Sequence, residues 1–166
     1  MKNALRIIRR TEPGLYRLED VYPDIRAYGI LKDIFEGADE IDRVISHTKF
    51  LVADMPHLMF VDNKDGSITI GLHHLRSASD EILYLDIVHE LCHVKQQMQG
   101  RDLYDRSKSY VDRETEIEAY EVTVREARRI GFDDEAIANY LRVPWITPEE
   151  HRRFLHRLGV SALVSS

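Results

Sequence analysis

Apolar positions recur along this chain at two spacings, and the switch from one to the other outlines its elements. Ile41, Val44 and Ile45 fall at helical spacing and predict a short helix over 39–50. Residues 57–61 and 67–72 instead read as strands. Between them Asp62-Asn63-Lys64-Asp65-Gly66 is turn chemistry, which predicts a hairpin. Ser77-Ala78-Ser79-Asp80 then opens a helix in the manner of a capping box. That helix runs to about Gln99, where Gly100 suits the C-terminal cap. A polar connector over 100–111 leads to a second long helix over 112–130, stopped by Gly131. Two shorter helices follow, one over 134–141. The other opens with Thr147-Pro148-Glu149-Glu150, an N-cap, a proline at the first helical position and a glutamate at the third. The first thirty-odd residues show no period and carry Pro13 and Pro23, so 1–36 reads as an irregular N-terminal arm. The order is helix, small antiparallel sheet, then helices, an α+β arrangement. We expect one domain over 1–166, with a helical tail over 131–166.

Composition narrows the class. At 166 residues the chain is long enough to bury a core, and 43% apolar with 31% charged residues is ordinary for a globular protein. A net charge of −6 argues against nucleic acid, whose binders concentrate Lys and Arg. The tail helices make poor DNA readers too, because Asp133-Asp134-Glu135 and Glu149-Glu150 stand where phosphates would need cations. Cys92 is the only cysteine, which excludes an intrachain disulfide scaffold. The first ten residues hold only short apolar pieces, and no apolar run approaches bilayer length. The expectation is a cytoplasmic protein with no membrane partner.

The chemistry lies in His89-Glu90-Leu91-Cys92-His93. Residues four apart on a helix lie one above the other, so these two imidazoles can bind one metal ion with little rearrangement. Glu90 sits beside the first of them, where its carboxylate can take a proton from water activated by the metal. The plainer alternative is a pair of histidines on an amphipathic helix. Ile82, Leu85, Val88 and Leu91 would bury the helix and give a metal site a rigid platform. A catalytic zinc needs a third protein ligand and an open fourth position. The run Arg113-Glu114-Thr115-Glu116-Ile117-Glu118-Ala119-Tyr120 offers three glutamates from which it could come.

Together the two helices resemble the gluzincin branch of the zincin metallopeptidases. That pattern is His-Glu-x-x-His followed by a helix bearing Glu-x-x-(Ala/Ser)-(Asp/Asn), and the Ste24-type and ImmA/IrrE-type peptidases share it. The resemblance covers roughly 67–129. It implies Zn2+ as cofactor, Glu116 as third ligand with Glu118 as the second choice, and Glu90 as catalytic base. Small Ala119 would let the helices approach closely. It further implies a minimal zincin-like fold, with the sheet packed on the metal-binding helix and a second ligand helix, and a peptide or protein as substrate. Ile70, Gly71 and Leu72 would contact that substrate through the backbone of an edge strand. One position departs from the pattern: Tyr120 stands where the family commonly has the Asp or Asn that hydrogen-bonds a ligand histidine.

Other residues have readings of their own. If the strand continues through His73 and His74, only one of them faces the cleft, and exposed strand-end residues are the plainer reading. Tyr104 and Tyr110 are candidates for steadying an oxyanion, or simply surface tyrosines. Cys92 reads as a small buried side chain. Two rival functions remain open, a regulatory or scaffold protein that keeps its metal for stability, and a zinc hydrolase of a non-peptide amide.

Overall fold

The computed structural model describes residues 5–162. The chain divides into two units, Met1–Asp102 and Leu103–Ser166. Helices accompany a four-stranded mixed sheet, so the fold is α+β.

In the first unit the predicted hairpin forms from β3 (Met59–Val61) and β4 (Ile68–Gly71), with Met59 opposite Ile70 and Val61 opposite Ile68. The turn closes through Asp62, whose amide donates to the Ser67 carbonyl (2.8 Å) and whose carboxylate accepts from the Lys64 amide (2.8 Å). Gly66 supplies a φ of 75° there, a conformation that side chains disfavour. Two further strands complete the sheet, β1 (Gly14–Arg17) and β2 (Lys49–Ala53), in the order β1-β2-β4-β3. The sheet was expected to be purely antiparallel. It is mixed, because β2 and β4 run parallel.

The segment over 1–36 read as an arm, yet its described residues are folded into this unit. They carry β1, α1 (Leu18–Val21), a 3-10 turn (Ile25–Ala27) and α2 (Leu31–Ile34). Leu18, Val21, Tyr22, Ile25 and Leu31 are all buried. The Tyr22 ring meets Phe50 of β2 edge-on at 6.0 Å, and its hydroxyl donates to the Leu83 carbonyl at 2.8 Å. Elements of three or four residues end before a period can show, which is why no pattern announced them. The helix predicted over 39–50 is α3 (Ala38–His47), and its last expected turn belongs instead to β2.

A short helix, α4 (Leu72–Ser77), then precedes α5 (Asp80–Met98). The Ser79 hydroxyl accepts from the Ile82 amide and caps α5, and Asp80 and Glu81 stand in its positive first turn. Gly100, at φ 76°, follows its end. Leu83, Leu85, Ile87, Val88 and Leu91 bury on several sides of α5, as in a helix enclosed by its neighbours. At about 1.5–3 kcal/mol for each such side chain, burial fixes this helix firmly.

In the second unit a 3-10 turn (Tyr110–Asp112) leads into α6 (Glu114–Arg129), followed by α7 (Asp134–Tyr140) and α8 (Pro148–Arg157). Thr147 and Glu150 form the predicted capping box, and Asp133 caps α7 by accepting from the Ala136 amide. Ile137, Leu141, Phe154 and Leu155 are buried in this unit, with Tyr140 and Leu158 half-buried beside them. Among the described residues, no helix is long and apolar enough to cross a membrane.

Candidate metal centre

His89 and His93 lie one turn apart on α5, and both are buried. Their rings stand nearly perpendicular (89°), with the two Nε2 atoms 3.1 Å apart. Zinc bonds of about 2.0–2.1 Å at a tetrahedral angle would place two nitrogens about 3.3 Å apart. The pair therefore fits around one ion with almost no adjustment. Gln96, also buried, accepts a hydrogen bond from His93 Nδ1 at 2.7 Å. That bond keeps the proton on Nδ1 and leaves the Nε2 lone pair for a metal.

The third donor comes from α6. His89, His93 and Glu116 each offer one ligand atom, and these atoms lie within 4.8 Å of one another. Glu116 is 4% exposed, whereas Glu114 and Glu118 on the same helix are exposed. Of the three glutamates, only Glu116 joins the group, because a helix turns neighbours two residues away onto other faces. A carboxylate taken out of water is costly unless positive charge or hydrogen bonds compensate it. Two imidazoles and a carboxylate so arranged can hold a metal ion.

Glu90, next to His89, is 6% exposed. Burial, followed by the charge of Asp86, raises the Tyr22 phenol well above its ordinary pKa, and Glu90 adds to the effect. Two carboxylates of α5 thus act on that buried ring.

Several sequence readings change here. The substrate strand was placed at Ile70, Gly71 and Leu72 on the premise of an edge strand. β4 lies between β2 and β3 with both edges paired, so no peptide can add to it; the edge strands are β1 and β3. Leu72 begins α4. A Cβ on Gly71 would lie 2.0 Å from the His57 carbonyl oxygen, so the missing side chain makes room for the chain's own backbone. His73 and His74 are helical rather than strand residues, with His73 exposed and His74 Nε2 2.7 Å from Asp86. Tyr104 is exposed and Cys92 is buried. Tyr110 is no loose surface residue, since its hydroxyl lies 2.7 Å from that of Tyr120. Sequence reasoning passed over Gln96, although it lies three residues after His93, within reach on a helix. A cavity of about 330 Å³ near Glu36, Asp39 and Glu40 holds none of the candidate ligands.

Comparison of the chain with protein-family models, curated proteins and solved structures gave no match in any of the three.

Proposed function

We propose that this chain is a zinc-dependent metallopeptidase, with His89, His93 and Glu116 as ligands and Glu90 as the catalytic base. The observation that carries the reading is the buried His89–His93–Glu116 group with Glu90 beside it on α5. Two nitrogens and one carboxylate oxygen form a donor set of hydrolytic zinc sites, and three ligands leave a fourth position for the reaction. A zinc ion there would supply Lewis acidity, polarising a carbonyl and acidifying water. The protein supplies the proton handling. A Glu90 carboxylate oxygen takes the proton from the attacking water and returns it to the departing amide nitrogen. Gln96 holds the His93 ring in the tautomer that ligation needs. A peptide is the substrate class that the likeness to gluzincins favours.

Glu90→Gln tests this reading, because it keeps the shape of the side chain but cannot accept the proton. It should stay folded and metal-loaded while hydrolysis falls by about 10²–10⁴. Unfolded proteins and peptide libraries, read by mass spectrometry, serve as substrates. Equal cleavage by wild type and Glu90→Gln would contradict the proposal. A zinc-loaded wild type that cleaves nothing would favour a regulatory or scaffold role.

A further inference from the structure

The sheet has one face on the core, where Phe50, Val52, Ile68 and Ile70 are buried, and neighbouring residues on a strand point to opposite faces. Lys49 and Leu51 of β2 therefore face outward, as do Arg17 and Leu15, which stand directly opposite them on β1. Leu15 is 62% exposed and Leu51 37%, a pair of large apolar side chains open to water. The cross-strand row continues through Thr69 to Phe60, where it closes: Thr69 is buried, and His57 stands edge-on to Phe60 at 5.6 Å. The open part of the face is its β1–β2 half. The edge of β1 offers less, because the strand is four residues long and follows Pro13, which has no N–H to donate.

Charge divides this patch into two unlike ends. At one end Arg17 lies directly opposite Lys49, two cations across a strand pair, an arrangement that costs stability when left alone. Lys49 forms no ion pair among the described residues. Arg17 meets Glu19 at 3.1 Å, but Arg26 draws on the same carboxylate at 3.1 Å. Just past the strands at the other end stand Glu12 and Asp54, brought there by the register that pairs Gly14 with Val52. Both are exposed, and neither forms an ion pair among the described residues. Leu15 and Leu51 lie between the two ends.

A two-fold axis laid along the Leu15–Leu51 row brings a second copy's sheet face to face with the first and reverses its strands. Leucine then meets leucine on the axis, and the cationic end of each copy covers the acidic end of the other. An acidic partner of another kind would satisfy Arg17 and Lys49 but leave Glu12 and Asp54 facing like charge. The patch is its own complement.

We propose that the outer face of β1 and β2 is a docking surface for a second copy of this chain. Leu15 and Leu51 pack its centre, and Arg17 and Lys49 of each copy meet Glu12 and Asp54 of the other. A contact of this kind is smaller than a standard interface, so the dimer depends on concentration.

Sedimentation equilibrium of the full chain should show the average mass rising from one chain toward two as concentration increases. A single-chain mass up to about 1 mM would overturn the proposal. Leu15→Glu sets like charges together on the axis and should abolish the rise; an unchanged rise would put the contact elsewhere and refute it. Charge reversal tests the orientation. Arg17→Glu with Lys49→Glu makes both ends acidic, Glu12→Lys with Asp54→Lys makes both ends basic, and each variant alone should stay single. Mixed one to one they should associate, because unlike charges now meet at both ends. A mixture that stays monomeric beside a dimerising wild type would refute the two-fold arrangement. Should a charge variant fail to fold, Leu15→Cys gives a second reading. Cys92 is buried, so a bismaleimide spanning ~10 Å, the spacing of stacked sheets, should link two copies through position 15, and no linked dimer would contradict the proposal.

Discussion

Gln96 Oε1 lies 2.7 Å from His93 Nδ1, and both residues are buried on the same face of α5. The amide oxygen accepts the Nδ1 proton, so the ring presents Nε2 toward His89 Nε2, 3.1 Å away. Gln96→Leu removes the acceptor and leaves a buried imidazole that can rotate or change tautomer. We expect metal affinity to fall by about 10–100-fold, measured by competition with a chromophoric chelator. Unchanged affinity would show that the ring is held by its packing alone.

The three glutamates of α6 should separate in the same assay. Glu116→Gln removes the buried donor that approaches both histidines and should reduce metal binding severely. Glu114→Gln and Glu118→Gln change exposed side chains and should leave it near wild type.

A pH dependence follows from Asp112. The Ser109 hydroxyl at 2.6 Å, and after it the Arg153 guanidinium at 2.8 Å, hold this carboxyl below its ordinary pKa. A depressed carboxylate stabilises the fold above its unfolded pKa, and that increment disappears as pH falls through the folded value. Asp112→Asn should therefore melt slightly below wild type at neutral pH, with the two curves converging in acid. With the Asp112 side chain 39% exposed, screening keeps the difference below about 1 kcal/mol. Thermal melts across the acid range check the convergence.

Much of this was legible where a signal was long or chemically specific. The caps at Ser79, Thr147 and Gly100, and the turn over 62–66, work through local hydrogen bonds and backbone preferences, which sequence states directly. The spacing of His89 and His93 did likewise for the buried pair that could hold a metal ion. Residues 5–36 were illegible because their elements are short and because Tyr22 gains its partners, Phe50 and Leu83, from distant positions. The parallel pairing of β2 with β4 is a tertiary fact of the same kind, and it removed the substrate strand expected at Ile70 and Gly71. Gln96 acts through a single hydrogen bond to His93, and it stands outside the candidate ligand motif that drew attention.

The most direct test of the central claim is metal content by elemental analysis of protein purified without a histidine tag. Wild type should carry about one equivalent of zinc, and its melting temperature should drop on chelation, because an ion bound only by the folded state adds its binding energy to stability. His89→Ala and His93→Ala should each purify with far less zinc. Stoichiometric zinc in either variant, or a metal-free wild type that cannot be loaded, would contradict the assignment of His89, His93 and Glu116 as the metal centre.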